Sequence, residues 1–324
     1  MQPLQLRTRA CASAWLWALL LVAHPALAQS EADCPPVATP LGVERIQAGI
    51  RDARDHGFLW RISKGGRTSF LFGTVHVARL EWMFAGPRVV QALRASDTVA
   101  LELDPLDPEV QRRLVEALRA APAPELPAPL KQRLLRQMQA ECLVPDALAG
   151  LSPEMQVATL ITLSARRDGL DPAYGIDLFL AGYGHGAQKT VVSLETPELQ
   201  AQALRMPTAQ ASLDVLEAGL SELEAGHARP SLNRIAQVWA DADHAALAGY
   251  DEWCECRDTA ADREAMKRLL DDRNPALAET IDHLHAGGKA VFAAVGSLHM
   301  VGPLGLPTLL AQRGYRVERV DFER

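Results

Sequence analysis

Two stretches lying more than two hundred residues apart share one pattern, and a fold for this chain has to account for both. The first is Phe70-Leu71-Phe72-Gly73-Thr74-Val75-His76; the second is Val291-Phe292-Ala293-Ala294-Val295-Gly296-Ser297-Leu298-His299. Each is a short apolar run followed by glycine, two residues and histidine. A continuous apolar run of this length predicts a strand buried on both faces. Glycine at its end lets the backbone turn or be approached closely. The histidine then falls just past the carboxyl end of the strand, where open α/β sheets place their ligand crevice. Two such frames predict that the strand ends at Gly73 and Gly296 are brought together, with His76 and His299 aimed at one place.

The remaining signals surround this pair with an α/β pattern. Phe58 to Ile62 and Thr68 to Gly73 flank Lys64-Gly65-Gly66-Arg67, which predicts a hairpin. Thr98 to Leu103, Lys189 to Leu194 and Tyr315 to Val320 read as further strands. Helical spacing marks Val43 to His56, closed by Gly57, and also Pro87 to Ala95, Tyr174 to Gly186 and Leu304 to Gln312. Ser152-Pro153 and Asn274-Pro275 look like helix starts, with Asn274 as a cap. The expected fold is a mixed central sheet built from both ends of the chain and flanked by helices. A large helical insertion is expected at about 106–170 and 196–287, within one domain over 58–324 preceded by an irregular leader and helix at 29–57.

Residues 1–28 read as a secretory signal peptide: Arg7 and Arg9, an apolar run from Ala14 to Ala23, then the small-x-small site Ala26-Leu27-Ala28. The run is short for a membrane span, the alternative being a retained anchor. Cys34 comes after Glu31-Ala32-Asp33 and so lacks a lipobox. The expected location is periplasmic or secreted, with no membrane association after cleavage. The full chain has 33 basic and 40 acidic residues, and the signal peptide holds two of the basic ones and no acid, so residues 29–324 carry a net charge of −9. That balance, with no basic cluster, argues against nucleic acid as a partner. Cys34, Cys142, Cys254 and Cys256 lie beyond the signal peptide, an even count that favours disulfides in an oxidising compartment, with the pairing open. Cys254-Glu255-Cys256 as a soft metal site is the alternative.

Glu102 and Glu195 sit at the ends of otherwise apolar strands, in Leu101-Glu102-Leu103-Asp104-Pro105 and Leu194-Glu195-Thr196-Pro197. A carboxylate buried there has to be paired, protonated or metal-bound, because leaving it alone costs several kcal/mol. For Glu195 the plainer role is capping the next helix. Taken with His76 and His299, the set matches the donors of a first-row divalent ion such as manganese, cobalt or zinc. Arg273, just before Asn274, is either solvent-facing or paired with a site carboxylate or a substrate carbonyl. Asp177 is most simply a first-turn acid on a helix dipole. His56, His185, His227, His244, His283 and His285 read as surface residues, and no serine has a nucleophile-elbow setting.

On these residues the chain resembles the TraB/PrgY/GumN family, which includes the animal Tiki proteins. The resemblance runs from about Phe58 to the C-terminus, and exported bacterial members of the GumN type look closest. It rests on Gly73-Thr74-Val75-His76, Leu101-Glu102-Leu103-Asp104, Tyr174-Gly175-Ile176-Asp177, Leu194-Glu195-Thr196, Arg273-Asn274 and Val295-Gly296-Ser297-Leu298-His299-Met300-Val301-Gly302. It implies an α/β fold shared distantly with erythromycin-esterase-like (EreA) and ChaN-like proteins. For Tiki members it implies divalent-metal-dependent peptidase activity, with His76, Glu102 and His299 in the corresponding positions here. The loop Val77-Ala78-Arg79-Leu80-Glu81-Trp82 departs from the more acidic, proline-bearing sequence expected after the first histidine.

The expected function is a periplasmic metal-dependent hydrolase acting on a peptide or protein. His76, Glu102 and His299 would bind the metal, Glu195 would be the general base, and Arg273 with Asn274 would stabilise an oxyanion. The alternative is a non-catalytic binder of a peptide, metal or haem in the same cleft. A third reading has the motifs merely tying the two halves of the sheet together.

Overall fold

The apolar run at 291–296 becomes an inner strand of a six-stranded sheet in the computed structural model, which describes residues 34–119, 124–254 and 259–322. The signal peptide expected over 1–28 lies outside those residues, as does Cys256. The strands are β1 (Phe58–Lys64), β2 (Arg67–Thr74), β3 (Thr98–Leu101), β4 (Thr190–Ser193), β5 (Val291–Gly296) and β6 (Arg316–Val320), in the order β4-β3-β5-β2-β1-β6. The sheet is therefore mixed and drawn from both ends of the chain. β4, β3, β5 and β2 are mutually parallel, whereas β1 runs antiparallel to β2 and to β6. Gly65 and Gly66, at φ of +58° and +75°, make the hairpin turn between β1 and β2, a conformation that suits glycine.

Every residue of β5 is buried. Because successive side chains point to opposite faces, this requires cover on both sides of the sheet, which is why the sequence alternates nothing and reads as apolar throughout. Phe292 packs on Phe72 of β2 with ring centroids 5.6 Å apart. Each large apolar side chain buried this way contributes roughly 1.5–3 kcal/mol.

Helices connect the strands among the described residues. Before β3 come α1 (Val43–Asp52) and α2 (Pro87–Ala95). Between β3 and β4 lie α3 (Pro108–Arg119), α4 (Ala128–Ala140), α5 (Pro153–Ser164) and α6 (Ile176–Gly186). Between β4 and β5 lie α7 (Pro197–Leu204), α8 (Ala209–Ala225), α9 (Ala228–Ala240), α10 (His244–Ala248), α11 (Tyr250–Trp253), α12 (Ala260–Met266) and α13 (Asn274–Ala286). α14 (Leu306–Gln312) precedes β6. α6 packs on β3 and β4, α13 on β5 and α14 on β6. No helix among the described residues is long and apolar enough to cross a membrane.

Several local expectations need correction. α1 stops at Asp52 rather than His56, because the next residues turn away: Arg54 bridges to Ala85, and Gly57, at φ +81°, donates its N–H to Trp239 O at 2.9 Å. Val43, Ile46 and Ile50 of α1 stay exposed, so its apolar stripe does not join the core. β3 ends at Leu101, although its pairing with the next strand continues, with Leu194 N donating to Leu101 O (2.7 Å) and Glu195 N to Glu102 O (3.2 Å). Ser152 precedes α5 without making a side-chain cap. His285 is buried rather than on the surface, its Nδ1 2.8 Å from Ser69 Oγ and its Nε2 3.0 Å from Lys64 O.

Cys34 pairs with Cys142, tying the stretch before α1 to the end of α4 across a sequence separation of 108. Cys254 is disulfide-bonded as well, which favours the disulfide side of the choice left open for Cys254-Glu255-Cys256. A cross-link closing so long a loop constrains the unfolded chain strongly. The double variant Cys34→Ser, Cys142→Ser is therefore expected to lose about 2–5 kcal/mol in urea melts.

Candidate active site

Parallel pairing puts the carboxyl ends of β4, β3, β5 and β2 on one edge of the sheet, in that order. The four singled-out side chains come off that edge in sequence: Glu195 after β4, Glu102 after β3, His299 in the turn after β5 and His76 after β2. This is the crevice position of an open α/β sheet. Gly296 lies at its centre. A β-carbon placed on it would sit 3.3 Å from Glu102 Oε1, 3.5 Å from His76 Nε2 and 3.7 Å from His299 Cδ2. The glycine thus leaves the space into which these three side chains converge.

Each imidazole is held by its Nδ1. His76 Nδ1 donates to Asp177 Oδ2 at 2.5 Å, and Asp177 Oδ1 accepts from Thr74 Oγ1 at 2.7 Å. Asp177 comes from the first turn of α6, but its carboxylate is spent on the histidine, so it does more than complement a helix dipole. The approach requires Gly175, whose β-carbon would lie 2.8 Å from His76 O. Burial alone would lower the pKa of His76, yet the charge and hydrogen bond of Asp177, with help from Glu102, leave it above 6.5.

His299 Nδ1 lies 2.5 Å from Asn274 Oδ1, while Asn274 Nδ2 donates to Leu304 O at 2.9 Å. That second bond turns the amide oxygen toward the ring, and the network thereby assigns the proton of His299 to Nδ1. Nε2 is left as an acceptor, and Arg273 Nη1 donates to it at 3.3 Å. Burial, then the charges of Arg273 and His76, hold the pKa of His299 well below 6.5, so it stays neutral. Asn274 is accordingly the buried first residue of α13 rather than its N-cap, and both ends of its amide are engaged.

Arg273 joins the two carboxylates. Its Nη2 donates to both Glu102 Oε2 and Glu195 Oε1, its Nε donates to Glu195 Oε2 at 3.0 Å, and its Nη1 also donates to Leu269 O at 2.9 Å. Glu102 Oε1 accepts from Gly296 N at 2.7 Å, and Glu195 Oε1 accepts from Gln200 Nε2 at 3.1 Å. Thr196, not Glu195, caps α7. Leu269 O is presented by a π-helical turn, Lys267–Asp271, a widened turn of the kind often found at functional sites. Burial pushes Glu102 up to about 7, against the downward pull of Arg273 and with a further push from Glu195. Glu102 and His299 are each 1 % exposed and Arg273 8 %, so one guanidinium serves two carboxyl groups away from water.

A cleft opens over this edge. Its polar lining is Thr74, His76, Arg273, Ser297 and His299; its apolar lining includes Phe58, Trp239, Tyr250, Trp253, Met266 and Leu269. Trp239 is anchored by Nε1 donating to Gly73 O at 2.7 Å, which ties α9 to the end of β2. Thr74, Trp239 and Gln200 carried no sequence signal of their own. Thr74 lies inside the first motif, but Trp239 and Gln200 act through contacts distant in sequence.

A model of the TraB/PrgY/gumN family matches residues 58–319. The chain belongs to the TraB/PrgY/gumN family. No curated protein and no solved structure matches it.

The expected α/β architecture, a mixed central sheet flanked by helices, is the one seen, and both Gly-x-x-His stretches reach the site. Among the described residues no group of three or more His, Cys, Asp or Glu side chains stands ready to hold a metal ion. Glu102 Oε2 and His299 Nε2 are 3.8 Å apart, and both accept hydrogen bonds from Arg273. Of the donor atoms, His76 Nε2 and Glu102 Oε1 face the space over Gly296, whereas His299 turns Cδ2 toward it and Nε2 toward Arg273; each ring is fixed through Nδ1, as the rings of metal-ligating histidines commonly are. For His76, Glu102 and His299 to ligate together, the guanidinium has to withdraw. Loss of the ring's support is expected to be felt at a distance from the donor atom. Asp177→Asn should lower the pKa of His76 in an NMR titration while leaving the circular dichroism unchanged.

Proposed function

We propose that this chain is an exported, metal-dependent hydrolase acting on a peptide or protein, with His76, Glu102 and His299 as the residues that hold a divalent ion. The observation that carries the reading is the convergence of those three side chains on the space over Gly296, at 3.3 to 3.7 Å from a single point. The apolar cleft above them supports a substrate with apolar side chains flanking the reacting group. The leader supports periplasmic or secreted placement.

When bound, the ion supplies Lewis acidity, polarising a carbonyl and making a water acidic near neutral pH. The chain's own residues do the rest. Asp177 orients His76, and Asn274 fixes the tautomer of His299 with Nε2 as the acceptor, while burial and Arg273 keep that ring neutral. Arg273 presents N–H groups where an oxyanion would develop. Glu195, with both oxygens taken by Arg273 and Gln200, holds that guanidinium in place instead of serving as the base. The apolar walls exclude water from the polar lining.

The test is to titrate the metal-stripped protein with Mn²⁺, Co²⁺ and Zn²⁺ and to assay a peptide library with each. One ion should bind per chain and cleavage should accompany it, while His299→Ala loses both. Retention of a peptide without turnover would replace the reading with a binding function.

A second reading draws on Arg273 already filling the acceptors of Glu102 and His299. In it the same hydrolysis runs without metal, with His76 as the base oriented by Asp177 and Glu102, at about 7, as the proton donor. Cleavage that survives exhaustive chelation would favour it.

A further inference from the structure

The apolar wall of the cleft comes from the helices between β4 and β5, and its character changes from depth to rim. Tyr250 of α11 is 3 % exposed, and the ring of Trp253 on the same helix meets it edge to face, with centroids 4.9 Å apart. Trp253 is half-buried, and its Nε1 donates to Ala246 O at 2.7 Å, which fixes the plane of the indole. The exposed Arg234 of α9 lies over that indole, its Cζ 4.4 Å from the ring centroid. Ile235, the next residue, lines the cleft, as Trp253 does. A positive charge is thus held against the outer end of an apolar wall.

That charge is open to a ligand. Stacking on an aromatic ring occupies the face of a guanidinium and leaves its N–H edge, the fork that matches a carboxylate, pointing outward. Among the described residues no carboxylate is paired with Arg234, and α9 itself contains no Asp or Glu. Arg229, earlier on the same helix, is by contrast held by Asp168, with Nε donating to Oδ2 at 3.0 Å. The other guanidinium of the cleft, Arg273, is shared between Glu102 and Glu195. We infer that Arg234 is a specificity-determining residue: the cleft takes a peptide whose bulky apolar side chain lies against Tyr250 and Trp253 and whose carboxylate is received by Arg234. This rests on the reading of the cleft as a peptide site, and neither on a metal nor on turnover. The chain has 40 acidic and 33 basic residues, so an acidic peptide is repelled by the surface as a whole. Arg234 reverses that sign where the peptide enters. The carboxylate comes from an Asp or Glu side chain or from the peptide's C-terminus.

The probes are N-acetylated, C-amidated octapeptides with one phenylalanine in a Ser-Gly background and a single aspartate walked along the chain. Each has an asparagine match, and one further pair carries a free or an amidated C-terminus. Binding is read from tryptophan fluorescence, because Trp239 and Trp253 line the cleft. At low ionic strength one register of the aspartate series, or the free-acid peptide, should bind the wild type about two- to fivefold tighter than its match. The advantage should vanish in about 0.5 M NaCl. In Arg234→Gln the ratio should fall to about one, and in Arg234→Glu it should invert; both changes are at an exposed position. A preference for aspartate makes the side chain the source of the carboxylate, and one confined to the free acid makes it the terminus; either supports the inference. A preference that survives in Arg234→Gln, or none in any register while the phenylalanine peptides bind, would overturn the inference and leave the peptide reading standing. No binding of any peptide would overturn both.

Discussion

In EDTA at pH 8, Arg273→Met is expected to lose about 3–5 kcal/mol of stability relative to the wild type, the cost of removing one partner from a buried ion cluster. The side chain is similar in length, so the loss is chiefly of charge and hydrogen bonds: Glu102 and Glu195 would face each other unpaired. The deficit should shrink as the pH falls. Burial already raises Glu102 to about 7 from an ordinary 4.5, so between those values the folded chain keeps a proton that the unfolded chain has released. Stability from this group is therefore present at low pH and lost as pH rises through that window. Arg273 pulls the value down, so without it the window extends upward and the variant suffers most at high pH. Urea midpoints at pH 5 and pH 8 read this directly. An equal deficit at both would show that packing, not charge, is what Arg273 provides.

Under the hydrolase reading proposed above, His76→Ala is expected to lower the rate of peptide cleavage about 10²–10⁴-fold, the range typical of removing a group that handles a proton or orients the reacting atoms. The fold should persist, because His76 lies beyond the end of β2 and makes no ladder hydrogen bond of that strand. Asp177→Asn should fall between this variant and the wild type, since it leaves the ring in place and removes only its charged support. Rates of the two variants within twofold of the wild type, measured with fully metal-loaded protein, would place the chemistry elsewhere in the cleft.

The outline of this site was legible because its parts interrupt strong patterns. Glutamate at the end of an apolar strand, and glycine then histidine at the end of another, are costly unless something uses them, and so Glu102, His76 and His299 stood out from sequence. The order of the strands was not legible. Nothing local says that β5, late in the chain, lies between β2 and β3, yet that insertion is what places Gly296 among the other three. Asp177 and Asn274 were read as helix-end residues because their local setting is sufficient to explain them; their true partners are 101 and 25 residues away. The pairing of Arg273 with a site carboxylate was legible, but its hold on Leu269 O depends on a π-helical turn that no periodicity announces. For α1, the amphipathic spacing was real, but its apolar stripe faces outward, which spacing alone cannot tell.

The position of β5 bears on how the protein reaches its native state. β2 and β3 are not hydrogen-bonded to each other; each pairs with β5, which comes later in the chain than every other sheet strand except β6. A chain emerging from its N-terminal side therefore carries two unpaired apolar strand edges until residues 291–296 arrive, and such edges are templates for association with other chains. The long sequence separations also predict slow folding. Newly made protein is thus expected to depend on holding factors until its late strand closes the gap.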